Sequence, residues 1–266
     1  MDFSRVRAVV TDVDGTLAGA DNQVSPRTLD ALRQAQRAGM LVVIVTGRTP
    51  QSAWAIARDA GLVAPVLSCN GSLVLDAKTG DVLRADYLPH EEVLEVLDLA
   101  AKHDVMSTWW TREEVFVSRE GFGKDLLEEL NGEPAVIGDP AQVRPGTVLK
   151  AMLCGTAEEL DPIEDDVRAR LPRVTRSMGE FLELSSAEGN KWAALKRLLD
   201  EYGIAPEDCV GFGDGGNDVP WLREIGFPVA VANARQEVKD VAIAVTGHHD
   251  DEAVADFLER NVLVHV

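Results

Sequence analysis

Cysteine is scarce in this chain of 266 residues. There are three, Cys69, Cys154 and Cys209, far apart and without a Cys-x-x-Cys pair. That excludes a disulfide framework and favours reduced, buried thiols in a cytoplasmic protein. Histidine is nearly as rare: the five include no His-x-His or His-Glu-x-x-His spacing, and adjacent His248 and His249 read as a solvated loop pair rather than a zinc site. No apolar run approaches the roughly 20 residues that span a bilayer. The opening MDFSRVRAVVTDVDG does not read as a signal peptide, because its short apolar stretch runs directly into acids. Basic residues are outnumbered, 26 Lys and Arg against 45 Asp and Glu, for a net charge of -19. Such a balance argues against nucleic acid or an anionic membrane as partner. Internal repeats and low-complexity segments are absent, and nothing points to an obligate protein partner.

What is present alternates. Val6 to Thr11 reads as a short buried strand. Ser25-Pro26 opens a helix with an N-cap and a first-turn proline, carries Leu29, Leu32 and Ala35 at helical spacing, and stops at Gly39. LVVIVT (41–46) is a β-branched strand covered on both faces. Thr49-Pro50 opens a second helix closed by Gly61, and Pro65 to Ser68 makes a third strand. This rhythm predicts a parallel sheet with right-handed crossovers. The middle is different: helix 94–105, a hairpin of MSTWW and VFVS, helix 122–130, strand 147–155, helix 157–171 and strand 181–186. The βα rhythm returns with helix 191–203, strand CVGFGD, a short helix and strand PVAVA, then a last helix, AVADFLER. The expected organisation is a discontinuous α/β core, 1–82 with 186–266, interrupted by an α+β insert, 83–185. The insert is acidic, with 11 Lys and Arg against 22 Asp and Glu, which suits a small monophosphate better than a polyphosphate.

Four islands sit at or just after predicted strand ends: TDVDGT (11–16), VTGR (45–48), GNKW (189–192) and GDGGND (213–218). Asp12 and Asp14 stand two residues apart where a buried strand ends, and carboxylates so close repel each other unless a cation intervenes. They are either a solvated turn or part of a metal and phosphate site. In open α/β sheets ligands gather at the carboxyl ends of strands. Lys191 falls in the first turn of a helix, where amides and dipole also favour an anion. Several carboxylates, one ammonium, glycines and hydroxyls are what phosphoryl transfer to a carboxylate requires, because an anionic nucleophile reaches a phosphate dianion only when cations offset the repulsion.

In order and spacing these islands resemble the motifs of the haloacid dehalogenase superfamily of phosphohydrolases. Asp12-Val13-Asp14-Gly15-Thr16 is similar to its first motif, Thr46-Gly47-Arg48 to the second, Lys191 to the third and Gly213-Asp214-Gly215-Gly216-Asn217-Asp218 to the fourth. The long insert, with Cys69-Asn70-Gly71 before it, resembles the Cof-type subgroup with a large α/β cap (type IIB). Val231-Ala232-Asn233-Ala234 resembles that subgroup's Gly-Asn-Ala stretch, with Ala232 in place of the glycine. The resemblance implies a Rossmann-like parallel-sheet core with an inserted α+β cap. Within it Asp12 would be the nucleophile forming an aspartyl-phosphate, and Asp14 the general acid and then base. Mg2+ would be held by the Asp12 carboxylate, the Asp14 main-chain carbonyl and the Asp214 carboxylate. Thr46, Gly47, Lys191 and Asn217 would grip the phosphate, and Asp218 would orient a metal-bound water or Lys191.

Each residue also has a plainer reading. Lone Asp-x-Asp-Gly turns are common, Lys191 alone would be a solvated lysine, and Thr46 alone could cap a helix. Arg48 divides between a structural ion pair and a substrate or cap contact, and Asn70 between a turn and a water or substrate contact. Trp109 and Trp110 alternate on a strand, so one packs inside the cap and the other could face the cleft; core packing is the default for both. The whole pattern points to a Mg2+-dependent phosphatase of small phosphorylated metabolites such as sugar phosphates, pyridoxal phosphate or flavin-type esters. Its rivals are a phosphotransferase or phosphohexomutase using the same intermediate, and a non-catalytic phosphometabolite-binding regulator.

Overall fold

A computed structural model of the chain describes residues 2–265. The first segment runs β1 (Ala8–Thr11), α1 (Pro26–Arg37), β2 (Leu41–Ile44), α2 (Pro50–Ala60), β3 (Val66–Ser68), β4 (Leu73–Leu75) and β5 (Val82–Ala85). The middle segment contains α3 (His90–Lys102), β6 (Met106–Trp110), β7 (Val115–Val117), α4 (Phe122–Asn131), β8 (Val136–Ile137), β9 (Lys150–Cys154), α5 (Ala157–Leu160), α6 (Glu164–Arg170), β10 (Thr175–Arg176) and β11 (Phe181–Ser185). The chain then returns through α7 (Lys191–Tyr202), β12 (Cys209–Gly213), α8 (Val219–Leu222), β13 (Phe227–Ala230), α9 (Gln236–Lys239), β14 (Ala244–Val245) and α10 (Ala253–Phe257).

The core sheet has the order β14-β13-β12-β1-β2, and all its pairings are parallel. β1, β2, β12 and β13 are buried along their whole lengths, as expected of strands with helices on both faces. The expected caps are in place: Ser25 accepts from the Thr28 amide and Thr49 from the Ser52 amide, while Gly61 and Gly203 end their helices in the left-handed conformation.

The third strand departs from expectation. β3 meets the parallel sheet only through a Val45–Leu67 bridge and otherwise pairs antiparallel with β4, which pairs antiparallel with β5. The cause is local: Cys69, Asn70 and Gly71 have positive φ in succession and reverse the chain. β5 spans the expected junction at 83. The helix expected over 157–171 is two helices, because Pro162 has no amide to continue the ladder.

The middle segment builds its own sheet, order β10-β11-β9-β6-β7-β8. Strand alternation gives this sheet two different faces. Trp109, Ala151, Leu153, Leu182 and Leu184 pack with residues of α3 and α6 such as Val96, Leu99 and Val167. Trp110, Met152 and Phe181 face the other way and join the cluster that includes the core. The cap thus lays one sheet face over the carboxyl ends of β1 and β12.

Candidate active site

β1 and β12 are neighbours in parallel register, Thr11 opposite Phe212, so the segments that follow them leave the sheet side by side. The Asp12 amide donates to the Phe212 carbonyl at 3.0 Å, which brings Asp12 close to the Asp214 loop. α7, capped by the Asn190 side chain, presents Lys191 as its first residue. Lys191 Nζ donates to Asp12 Oδ1 and to Asp218 Oδ1, each at 2.7 Å, with all three side chains buried. Asp218 is fully engaged: Oδ1 also accepts from Trp221 Nε1 at 3.0 Å, and Oδ2 from the Asp214 and Gly215 amides at 3.1 Å. It therefore anchors the loop and aims Lys191.

One carboxylate oxygen from each of Asp12, Asp214 and Asp218 lies within 4.8 Å of the others. Burial, reinforced by Asp218, raises the Asp12 carboxyl well above the ordinary range, with Lys191 opposing it only in part. Burial and Asp218 likewise push Asp214 up to about 7. Burial disfavours the Lys191 ammonium, but Asp12 and Asp218 outweigh it and hold its pKa above the usual lysine value. Crowded, dry oxygen donors of this kind fit a hard divalent cation, which would relieve their repulsion. Gly15 shapes the same spot: its φ is +71°, and a Cβ there would lie 2.4 Å from Asp214 Oδ2. Asn233 Nδ2 holds the Gly15 carbonyl at 2.7 Å, and Thr16 Oγ1 donates to Asp214 Oδ1 at 3.0 Å.

The carboxylate of Asp14 turns away from this cluster. Arg48 Nε and Nη2 donate to Asp14 Oδ1 at 2.9 and 2.7 Å, and Nη2 also reaches the Asn22 carbonyl at 3.1 Å. Arg48 is thus ion-paired with Asp14 and also lines the cleft. Thr46 is fully buried, its Oγ1 accepting from the Arg48 amide at 3.2 Å. Asn70 Nδ2 donates to Glu183 Oε2, and Asn70 Oδ1 accepts from Asn217 Nδ2 at 3.2 Å.

A family model described as haloacid dehalogenase-like hydrolase matches residues 9–258. The chain belongs to the haloacid dehalogenase-like hydrolases. Its relatives include the HMP-PP phosphatase of Serratia proteamaculans (strain 568), 29% identical over 261 residues and covering 96% of this chain and 94% of that one. Another is pyridoxal phosphate phosphatase YbhA of Escherichia coli (strain K12), 24% identical over 278 residues, or 97% of this chain and 99% of that one. A crystal structure of a haloacid dehalogenase-like hydrolase from Bacteroides thetaiotaomicron shares the fold with a TM-score of 0.80 at 26% identity, over 96% of this chain and 99% of that one. As a Cof-type member, the chain is a hydrolase of the phosphatase kind.

In this haloacid dehalogenase-like hydrolase the cleft between core and cap measures about 60 Å³. Asp12, Asp14, Gly47, Arg48, Asp214 and Asn217 line its floor. Trp110 lines its roof, whereas Trp109 is stacked on Phe116 inside the cap, ring centroids 5.6 Å apart. Sequence reasoning missed two roof residues, Lys150 and Glu183, both buried. Lys150 Nζ donates to the Gly47 carbonyl at 3.0 Å and lies 3.7 Å from the Trp110 ring centroid. Their signal was a charge at the alternating position shared with Met152 and Phe181, in strands otherwise apolar.

Proposed function

We propose that the chain hydrolyses small phosphomonoesters with Mg2+ through an aspartyl-phosphate on Asp12. The observation that carries this reading is the Asp12–Lys191–Asp218 arrangement beside Asp214, built from the ends of adjacent parallel strands. Lys191 takes Asp12 Oδ1, and among the described residues no protein group hydrogen-bonds to Oδ2, so that oxygen is the nucleophile. It attacks phosphorus in line with the ester oxygen, which leaves as the alcohol after accepting a proton from Asp14, a role that requires this carboxyl to turn from its pair with Arg48 toward the cleft. Asp14, now a carboxylate, takes a proton from water as the water attacks the acyl phosphate, releasing inorganic phosphate and restoring Asp12. Lys191 offsets the charge that repels nucleophile from phosphate, and Gly47 and Asn217 face the phosphoryl oxygens. When bound, Mg2+ would be held by the Asp12 and Asp214 carboxylates and the Asp14 main-chain carbonyl, and would neutralise phosphoryl charge.

In the same reading residues 1–82 with 186–266 are the catalytic core and 83–185 the cap. A cavity that holds benzene is ~150 Å³, so the roughly 60 Å³ cleft admits a metabolite only when the cap swings away. The protein would work in the cytoplasm, in keeping with three free, buried cysteines; among the described residues no helix is long and apolar enough to cross a membrane. The test is phosphate release from an aryl phosphate with and without Mg2+. We expect chelator to abolish it and Asp12→Asn to lower turnover by at least about 10³-fold with the fold preserved. Turnover by that variant at the native rate would remove Asp12 from its role, and transfer to a sugar hydroxyl without phosphate release would identify a mutase.

A further inference from the structure

A second cluster of metal-binding side chains lies on the core, in the loop before α10. His248, His249 and Asp250 each offer a ligand atom, and the three atoms lie within 4.8 Å of one another. In sequence the two histidines read as a solvated pair, but the fold leaves the His249 side chain only 16% exposed. Its Nδ1 lies 2.7 Å from the Ala18 carbonyl. A carbonyl only accepts, so Nδ1 carries the proton and the lone pair of the neutral ring sits on Nε2. That nitrogen is 3.8 Å from Asp250 Oδ1, and His248 Nδ1 is 3.4 Å from Asp250 Oδ2. The Asp250 carboxylate is itself aimed, because Oδ1 accepts from the Ala20 amide at 2.7 Å. A ring fixed through its far nitrogen and a carboxylate held by an amide are the outer-sphere supports that metal ligands carry.

Bonds of about 2.0–2.1 Å place two ligands of a tetrahedral ion roughly 3.4 Å apart, close to the separations found here. The contact an ion displaces is the long bond, 3.4 Å, from the Asp250 amide to His248 Nδ1. Imidazole nitrogen suits zinc, copper and nickel, whereas the oxygen donors at Asp12 and Asp214 suit Mg2+. We propose that His248, His249 and Asp250 form a second metal site, separate from the aspartate cluster, for a borderline ion of the Zn2+ kind with water completing its shell. The bound ion staples this carboxyl-terminal loop to the segment that follows the Asp12 motif. Asn233 already joins the two, accepting from the His249 amide at 3.1 Å and donating to the Gly15 carbonyl. All these residues belong to the core, so the site does not depend on where the cap stands.

The experiment titrates Co2+, a coloured stand-in for Zn2+, into the full-length protein in excess Mg2+. A tetrahedral site with nitrogen ligands gives an intense visible band, which octahedral oxygen ligation at the aspartates does not. We expect that band to saturate at one ion per chain and to vanish when Zn2+ is added. His248→Ala, at an exposed position, and Asp250→Asn, which keeps an acceptor for the Ala20 amide, should each weaken binding by at least about 100-fold. That is the upper end of what loss of a mere outer-sphere partner costs. Asp214→Asn should leave the band unchanged. Zn2+ at a free concentration about 100 times its measured dissociation constant should raise the melting temperature of the native protein by roughly 5–10 °C, with no such rise in His248→Ala. Absence of the band, a band that survives either substitution in the loop, or a melting temperature that Zn2+ leaves unmoved would overturn the proposal.

Discussion

Asp214 is held in the folded protein with a carboxyl pushed up to about 7 from an ordinary 3.8, first by burial and then by Asp218. Without a cation, keeping this group ionised works against folding. Because its folded-state pKa lies above the unfolded one, its contribution favours the fold at acid pH and is lost as pH rises from 4 through 7. At ~1.4 kcal/mol per unit, the loss is about 2 kcal/mol at pH 5 and about 4 kcal/mol at pH 8. Asp214→Asn removes the charge and keeps an oxygen for the Thr16 hydroxyl, so the metal-free variant should be more stable than the native protein, and increasingly so in alkali. Thermal unfolding in chelator at the two pH values reads this directly. With ~2–4 °C per kcal/mol for a chain of this size, the variant should melt roughly 5 °C higher at pH 5 and 12 °C higher at pH 8. Added Mg2+ should raise the melting temperature of the native protein at pH 8 more than that of the variant, which keeps the Asp12 carboxylate and the Asp14 carbonyl but lacks one of the two charged ligands. A variant that melts below the native protein at pH 8, or by the same margin at both pH values, would refute the reasoning.

Other changes have equally definite outcomes. Lys191→Met strips the buried Asp12–Asp218 pair of its counter-charge and should cost about 3–5 kcal/mol in urea unfolding near neutral pH. Gly15→Ala forces a side chain into left-handed backbone against Asp214; it should cost at least about 1–2 kcal/mol and raise the Mg2+ concentration for half-maximal phosphate release.

The core was legible where local chemistry and tertiary structure agree. β-branched runs, Ser25 and Thr49 caps and Gly61 and Gly203 stops each point to the same element, and the acidic motifs fall where parallel strands end. Legibility failed where one residue type can serve two structures. Asn70-Gly71 marks a turn in any context, but only the left-handed conformation of Cys69 before it makes the chain double back as β4 instead of crossing over. Pro162 stands inside the run expected as one helix over 157–171, and it separates two shorter helices instead. In the site, Lys191 and Asp214 stood out through their motifs. Lys150 and Glu183 carry no motif, and a charge in a strand ordinarily faces water; only the closure of cap on core buries them.

The pairing of β1 with β12 joins Ala8 to Cys209, and this bears on how the protein is made. As the chain emerges from the ribosome, its second acid-bearing strand end follows the first by some two hundred residues. The inserted sheet, whose strands all lie between 106 and 185, can be completed earlier. Long-range closure of this kind is slow and exposes unpaired edges meanwhile. Chemistry should therefore switch on last, only after synthesis has passed Asp218, so that truncated products are inert toward the cell's phosphate esters.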